Sequence, residues 1–323
     1  MSSNDLPMNA VSSTDSAPTA TFAPADPLYA LQWHFPMIGT LGYSATYNTA
    51  GIERIWGEYT GEGMHVGIWD SGVQRTHWDL AGNYDDSLHV IVEGTVNDGQ
   101  PSSDAGREYP HGTSVAGLIA AESNGQGGVG VAFEAGLTPI AIFSGQDNVN
   151  QYWDRYLQTL DSLGNFDVTN HSYGGGPNFI QDEEWIAKFE TAAELGRNGL
   201  GTVSVTAAGN TNWDGNGDQF KETRFTISVA ALDNSANAAV YASRDVAHWN
   251  PVDGNPAVYS TYGAHVLVSA PAAAVTTDLL GMTDGYNGLL NGDYTNDFGG
   301  TSAAAPVTTG VVTLMLDANA GLG

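Results

Sequence analysis

Short runs of β-branched and apolar residues alternate along the chain with longer stretches in helical spacing. Runs that predict strands are 65–70, 137–143, 166–172, 201–208, 225–231 and 265–271. Helices are predicted near 111–123, 151–163 and 182–197. A further helix is predicted from Ala303 to Leu316, where Pro306 falls in the first turn and is tolerated there. This alternation favours an α/β fold with a mainly parallel sheet and helices on both faces.

The first 25 residues lack this pattern and are rich in Ser, Thr, Ala and Pro. Such a composition is typical of a mobile N-terminal arm. We therefore expect one folded domain over residues 26–323, with no internal repeat.

The composition restricts the classes of partner. Against 36 acidic residues stand only 9 Lys and Arg, which gives a formal net charge of −27. This charge repels nucleic acid and favours cations. The chain has no cysteine, so disulfides, thiolate metal sites and a cysteine nucleophile are excluded. No window reaches the roughly 18 apolar residues of a membrane span, and no classical secretory signal begins the sequence.

Three residues with complementary chemistry stand at predicted strand ends and helix starts. Asp70 ends the strand HVGIWD, His111 begins the helix HGTSVAGLIAAE, and Ser302 begins the helix TSAAAPVTTGVVTLML. A serine hydroxyl becomes nucleophilic when an imidazole takes its proton, and a buried carboxylate orients that imidazole. Each residue alone is more typical of a turn or a helix cap. Together they predict nucleophilic catalysis.

The sequences around these residues resemble the signatures of the subtilisin-like serine proteases. They are DSG at Asp70, HGTSVAG at His111 and GTSAAAP at Ser302, in the order Asp, His, Ser. AAGN matches the family's oxyanion segment and places Asn210 as the side-chain donor. The resemblance implies a subtilisin-like three-layer sandwich and serine endopeptidase activity on protein or peptide substrates. It also implies an acyl-enzyme intermediate, with the oxyanion held by Asn210 and the backbone N–H of Ser302.

Within that family, DPLYALQWHF at 26–35 and GGTSAAAP are similar to the kexin and furin-like proprotein convertases. Members of this branch are secreted, bind calcium and generally carry a P domain after the catalytic domain. We therefore expect a secreted protein, with its signal already removed or with another route of export, and we expect it to be a monomer. A C-terminal domain, inhibitor or chaperone outside this chain is the expected protein partner.

The resemblance also implies a calcium site. Ca²⁺ takes six to eight oxygen ligands from carboxylates, amides and backbone carbonyls. The matching positions are Asp26, Asp79, Asn124, Gln126 and Gly128. The alternative is that these are solvated surface groups of a very acidic protein.

The pocket for the residue before the scissile bond is expected between SYGG and AAGN. Its expected walls are Ser172, Tyr173, Gly174, Ala208 and Gly209. Asp218 falls where convertases keep an aspartate at the pocket floor, which implies a preference for Arg or Lys.

Two observations leave that preference open. The first wall continues as GGGPNF and lacks the acidic segment of the furin-like pattern. The loop WDGNGDQF also has the spacing of a calcium loop, with Asp214 as a ligand, or is simply a polar loop.

Two other functions are weighed against proteolysis. An α/β-hydrolase esterase needs G-x-S-x-G and the order Ser, Asp, His, which are absent. An inactive calcium-dependent peptide-binding module on the same fold is the alternative. The remaining histidines show no zinc spacing and are expected to be structural or at the surface; they are at 34, 65, 77, 89, 171, 248 and 265.

Overall fold

Six parallel strands form the centre of the computed structural model. It describes residues 22–35, 51–104, 107–143, 149–174, 182–218, 222–232, 259–272, 274–281, 284–286 and 288–323. In chain order the strands are β1 (His65–Asp70), β2 (Ile91–Val92), β3 (Thr95–Val96), β4 (Ser103–Asp104), β5 (Arg107–Glu108), β6 (Gly136–Ala141), β7 (Val168–His171), β8 (Val203–Ala207), β9 (Thr226–Leu232), β10 (Val266–Pro271), β11 (Thr276–Thr277) and β12 (Tyr294–Thr295). The central sheet has the order β10-β9-β8-β7-β1-β6, and β2-β3, β4-β5 and β11-β12 form antiparallel pairs.

Helices cover both faces of this sheet. They are α1 (Ile52–Ile55), α2 (His111–Ala120), α3 (Val149–Leu160), α4 (Glu183–Gly199) and α5 (Thr301–Ala318), with 3-10 turns at Tyr29–Leu31, Leu163–Asn165 and Leu290–Gly292. α2 and α5 pack together on one face, whereas α3 and α4 contact each other on the opposite side. The predicted three-layer α/β fold is therefore confirmed.

The alternating side chains of the sheet build two apolar clusters. In β1, Val66 and Ile68 lie in the cluster shared with α2 and α5, while Trp69 lies in the cluster shared with α3 and α4. Successive side chains of a strand point to opposite faces, so one strand supplies both clusters. Trp69 packs edge-on against Phe166, with ring centroids 5.5 Å apart.

The predicted elements agree closely with the observed ones. Each predicted strand of the central sheet begins and ends within two residues of the observed strand, and each predicted helix within three. Residues 1–21 of the predicted arm lie outside the described residues. In the rest of that segment Phe22 stacks on Phe133 at 5.4 Å, although Phe22, Ala23 and Ala25 are exposed. In the described part of the chain, no helix is long and apolar enough to cross a membrane.

Candidate active site

The end of β1 and the start of α2 bring Asp70 and His111 together. Asp70 is fully buried, and its Oδ1 lies 2.8 Å from Nδ1 of His111. The same oxygen accepts the backbone N–H of Ser71 at 2.7 Å. α2 can approach this closely because Gly112 has no side chain: a Cβ there would lie 2.3 Å from the carbonyl oxygen of Gly72.

The Asp70 carboxylate determines the protonation of His111. Burial lowers the pKa of His111, but the charge of Asp70 and its hydrogen bond raise it, and the net pKa lies above the ordinary value. A carboxylate only accepts hydrogen bonds, so Nδ1 carries a proton. In the neutral imidazole, Nε2 is then free to accept a proton.

Ser302 is held at the start of α5 by the end of β7. Its hydroxyl donates to the carbonyl oxygen of Ser172 at 3.1 Å, and the Ser172 hydroxyl donates to the carbonyl oxygen of Ser302 at 3.0 Å. Among the described residues, the hydrogen-bond partner of the Ser302 hydroxyl is therefore Ser172 rather than His111. The ring of His111 packs against Phe298, just before α5, with centroids 5.2 Å apart.

Asn210 packs directly against the turn that precedes Ser302. Its Oδ1 accepts the backbone N–H of Thr301 at 2.8 Å and the Thr301 hydroxyl at 3.0 Å. Gly300 has a φ of +77°, and a Cβ at this position would lie 2.9 Å from Nδ2 of Asn210. Glycine is required there both by the left-handed backbone and by the closeness of the amide. Because Thr301 occupies Oδ1, Nδ2 is the donor that remains for a ligand.

A cavity of about 430 Å³ adjoins this cluster. Its lining residues are Asp70, Ser71, Tyr109, His111, Phe143, Tyr152, Ser172 and Tyr173. The two predicted substrate residues Ser172 and Tyr173 are thus in its wall. We call this space the aromatic cavity.

The other predicted pocket residues do not line the aromatic cavity. They are Gly174, Ala208, Gly209 and Asp218. The backbone N–H of Gly209 donates to the Thr301 hydroxyl at 2.9 Å, which places that segment beside α5 instead. Asp218 is 1% exposed, and its N–H donates to the carbonyl oxygen of Gly215.

Three aromatic residues of the cavity were missed in the sequence. Tyr109 precedes the helix that His111 begins, Phe143 ends the predicted strand LTPIAIF, and Tyr152 is in the first turn of the next predicted helix. Since they come from separate elements, no local motif joins them. The available signal was their position at strand ends and helix starts, where sites of parallel sheets lie.

Three of the predicted calcium positions meet at a second place. The carboxylates of Asp26 and Asp79 are both buried. Asp26 accepts the backbone N–H of Asn124 at 3.1 Å, and Asp79 accepts the side-chain amide of Asn124 at 3.0 Å. Tyr294, which sequence analysis missed, donates its hydroxyl to Asp79 at 2.7 Å.

Burial raises the pKa of Asp79 to about 7, although hydrogen bonds from Tyr294, Gly128 and Asn124 oppose this change and the charge of Asp26 adds to it. The backbone N–H of Gly128 approaches Asp79 to 3.3 Å, and the backbone N–H of Gln126 donates to Asn124 at 2.9 Å. The loop that holds the predicted carbonyl ligands is therefore next to both carboxylates.

Asp214, the remaining predicted metal ligand, is in a different loop. It is exposed, and its Oδ1 accepts the backbone N–H of Asn216 at 3.1 Å. Within the residues that the structure describes, no group of three or more His, Asp or Glu gathers as a metal site. The role of Asp214 as a ligand stays a prediction.

Comparisons with known proteins agree with this architecture. The family model Peptidase_S8, the subtilase family, matches residues 61–323. The PC3-like endoprotease variant B of Hydra vulgaris is 29% identical over 92% of this chain and 40% of its own length. Human furin is 28% identical over 93% of this chain and 35% of its own.

Solved structures have the same fold. A serine protease of Aeromonas sobria is 24% identical, with a TM-score of 0.71 over 98% of this chain and 59% of that one. The same protease has been solved in complex with a chaperone. This chain spans less than half the length of the two curated relatives. Because the family model covers most of the chain and confirms the predicted resemblance, the protein belongs to the subtilase family.

Proposed function

We propose that this chain is a serine endopeptidase in which Asp70, His111 and Ser302 form the catalytic triad. The observation that carries the proposal is the 2.8 Å contact between Nδ1 of His111 and the buried Asp70 carboxylate. Ser172 lines the cavity beside this pair and is hydrogen-bonded to Ser302 in both directions. A base, the carboxylate that orients it and a serine hydroxyl thus border one crevice.

The reaction begins when the Ser302 hydroxyl turns from the carbonyl of Ser172 to Nε2 of His111. His111 takes the hydroxyl proton as Oγ attacks the carbonyl carbon of the scissile peptide bond. The resulting oxyanion accepts hydrogen bonds from Nδ2 of Asn210 and from the backbone N–H of Ser302. That N–H is at a helix N-terminus, where backbone donors are unpaired and the partial charge is positive.

The intermediate collapses when His111 gives its proton to the leaving amine. The C–N bond breaks, and the acyl group remains on Oγ of Ser302. Water then attacks this ester while His111 takes a proton from the water. In the second collapse His111 returns that proton to Oγ of Ser302, which restores the hydroxyl and releases the carboxylic acid product. Asp70 remains an anion throughout and stabilises the imidazolium that forms twice.

The resemblance to convertases extends the proposal to a basic residue before the scissile bond. Asp218 is the carboxylate proposed to bind that side chain, although it does not line the aromatic cavity. A preference for Arg or Lys therefore depends on the family resemblance and on the burial of Asp218. The names of the relatives, an endoprotease and furin, support protein or peptide substrates.

We further propose a structural calcium ion beside Asp26, Asp79 and Asn124. The residues fit this cation, because two carboxylates are buried close together and, within the described residues, neither is in a salt bridge with Lys or Arg. Backbone carbonyls of Gln126 and Gly128 would complete an all-oxygen set, which is the set that Ca²⁺ prefers. Bound there, calcium would neutralise the two carboxylates and hold the 124–128 loop on the core.

The same relatives support proposals for a protein partner and for a location. The chaperone complex of the Aeromonas protease supports a chaperone or inhibitor as a partner of this chain. Secretion as a monomer, with any further domain outside this chain, is the corresponding proposal for its location and assembly.

The experiment that tests the proposed activity compares Ser302→Ala with the unaltered protein on a mixed peptide library. We expect the rate to fall by roughly six decades. Ser87→Ala is the matched control, since Ser87 is an exposed serine outside the crevice. Equal cleavage by Ser302→Ala would assign the activity to other groups. No cleavage by the folded, unaltered protein would favour an inactive peptide-binding module.

The calcium proposal is tested by thermal unfolding with calcium and with a chelator. Calcium that binds only the folded state stabilises it by RT ln(1 + [L]/Kd), where [L] is the free calcium concentration. We therefore expect the chelator, which removes this stabilisation, to lower Tm of the unaltered protein. Asp79→Asn should remove this dependence while leaving the backbone loop in place. A Tm that calcium does not change would contradict the proposed site.

A further inference from the structure

β7 carries polar side chains on both faces although it lies in the middle of the sheet. Thr169, Asn170, His171 and Ser172 are each at most 2% exposed. The even-numbered residues face α5, where Asn170 donates its amide to the Ser172 hydroxyl at 2.9 Å. Thr169, His171 and Tyr173 are on the opposite face, as the two-residue period of a strand requires. The end of this strand therefore contacts Ser302 through Ser172 and supplies Ser172 and Tyr173 to the wall of the aromatic cavity.

The hydrogen bonds on the second face have a definite direction. The Thr169 hydroxyl donates to Ser204 at 2.9 Å, so its oxygen accepts from Nε2 of His171, 3.0 Å away. Burial lowers the pKa of His171 to about 3, and the ring is neutral. A neutral imidazole has one donor and one acceptor, which makes Nδ1 the acceptor.

The acceptor nitrogen of His171 receives the hydroxyl of Tyr173 at 2.7 Å. Tyr173 must then accept from the Tyr156 hydroxyl, 2.9 Å away, and Tyr156 accepts from Nε1 of Trp185 at 3.0 Å. Tyr156 belongs to α3 and Trp185 to α4. Each hydroxyl in this series donates once and accepts once, so the buried chain is satisfied from end to end.

This chain holds the ring of Tyr173 in one orientation. The hydroxyl points into the protein toward His171, while the residue forms part of the cavity wall and its ring packs edge-on against Phe143, with centroids 6.0 Å apart. Burial and the neighbouring Tyr156 raise the pKa of Tyr173, so the phenol stays protonated and can donate. Without an acceptor at Nδ1, the hydroxyl would have an unpaired proton in the interior and would turn toward the cavity.

We propose that His171 is a positioning residue: by fixing Tyr173, it determines how strongly the aromatic cavity favours a large apolar or aromatic side chain of the substrate. The inference rests on the proposed endopeptidase function. The cavity has four aromatic walls, from Tyr109, Phe143, Tyr152 and Tyr173. Its one carboxylate, Asp70, is engaged by His111, so an apolar guest fits this lining.

The test scans each of the four peptide positions before the scissile bond with Phe, Ala and Arg. At one of these positions we expect the unaltered protein to prefer Phe over Ala by about tenfold or more in kcat/KM, from burial of the ring. His171→Leu should reduce that preference at least about fivefold, mainly through KM, and leave kcat on the Ala peptide within about twofold.

A double variant separates positioning from general damage. In His171→Leu with Tyr173→Phe, the Tyr173 hydroxyl is removed together with its acceptor, so the ring has no unpaired proton to turn toward the cavity, and we expect most of the preference for Phe to return. His34→Leu is the matched control. His34 is another fully buried histidine, and its ring nitrogens have no hydrogen-bond partner in the described part of the chain. Its replacement should leave the preference unchanged.

Two further experiments test the proposal if His171→Leu does not fold or if no protein cleaves. If His171→Leu does not fold, Tyr156→Phe breaks the same chain at its donor side, and a smaller loss of preference is expected. If no protein cleaves, Kd for the Phe and Ala peptides is measured calorimetrically on Ser302→Ala, which separates this inference from the proposed activity. Three results would overturn the inference. They are an unchanged Phe-to-Ala ratio in His171→Leu, an equal loss on the Phe and Ala peptides, and a preference for Arg over Phe at the position whose side chain enters the aromatic cavity.

Discussion

Two histidines stand on either side of the aromatic cavity wall, and their surroundings give them opposite protonation. His111 faces the Asp70 carboxylate, and its pKa is raised. The ring nitrogens of His171 bond to the hydroxyls of Thr169 and Tyr173, its ring packs against Trp69 and Phe189, and burial lowers its pKa to about 3. Burial disfavours the charged form of both rings, so the difference comes from the charged partner.

This difference separates a residue suited to proton transfer from one suited to positioning. A histidine beside a carboxylate can take and return a proton near neutral pH. A neutral histidine between hydroxyls instead keeps one donor and one acceptor at fixed sites over the working pH range. The two proposed roles of the same side chain therefore differ according to whether its neighbour is charged.

The strongest way to break the comparison is Asp70→Asn, which removes the charge from the His111 side. We expect kcat to fall about 10⁴-fold, because the amide favours the wrong tautomer of the imidazole. The acid limb of the kcat/KM profile should begin above the ordinary histidine pKa in the unaltered protein, since Asp70 raises the pKa of His111.

Asp85→Asn is the control for that change. Asp85 contacts Nδ1 of His65 at 3.0 Å at the beginning of β1, so it is a second carboxylate–histidine pair outside the cavity. Its replacement should leave kcat nearly unchanged. Equal losses in the two variants would show that the Asp70 effect is a general destabilisation.

Asn210→Asp tests the donor on the Ser302 side of the crevice. The carboxylate still accepts from Thr301 but has no N–H for the oxyanion, so kcat should fall by about two to three decades with little change in KM. Asn212→Asp adds the same charge to an exposed residue of that loop. A similar loss in both variants would attribute the effect to added charge instead of the lost donor.

The pH dependence of stability should differ in sign between the two histidines. His171 has a lower pKa in the folded than in the unfolded state, so unfolding takes up a proton below about pH 6.5 and stability falls as the pH drops toward 3. At pH 5 this costs about 2 kcal/mol. His111, with a raised pKa, contributes stability at low pH that is lost as the pH rises through its folded value.

Urea unfolding between pH 5 and pH 7 measures this contrast. His171→Leu should flatten the decrease of stability at low pH, whereas His111→Ala should make that decrease steeper. His34→Leu should flatten it as well, because burial lowers the pKa of His34 to about 3. A slope that does not change in His171→Leu would contradict the neutral, hydroxyl-bonded ring.

The smallest expected effect comes from Ser172→Ala, between the two histidines. This change leaves the Ser302 carbonyl and the Asn170 amide without the Ser172 hydroxyl, which should cost about 1–2 kcal/mol of stability and less than tenfold in kcat. Ser162→Ala, which removes a hydroxyl that donates to the carbonyl of Thr159, is the control. A loss of several decades in Ser172→Ala would give its hydroxyl a direct part in the reaction.

The sequence predicted the parts of this molecule that depend on local patterns. Strand periodicity and helix starts located β1, α2 and α5, and the short motifs identified Asp70, His111 and Ser302 as candidates. The histidines outside the motifs were expected to be structural or at the surface; His34 and His171 are buried, and position 248 lies outside the described residues.

What the sequence could not predict depends on contacts between distant elements. His171 bonds to Thr169 and Tyr173, but the directions of these bonds, and so its tautomer, depend on Tyr156 of α3 and on Ser204 of β8. The aromatic cavity likewise takes its walls from separate loops and helices. No spacing along the chain encodes such neighbours, because they are set by how the helices pack on the sheet.

The contact between Ser172 and the Ser302 hydroxyl uses a main-chain carbonyl, whereas the cavity wall next to it is a side chain. Every amino acid at position 172 supplies that carbonyl, and position 173 points away from Ser302. Selection can therefore exchange the wall residue and its buried supports without disturbing the hydroxyl. In evolutionary terms, the proposed substrate preference could change while the proposed bond cleavage is kept, although adjacent residues of one strand end would carry the two.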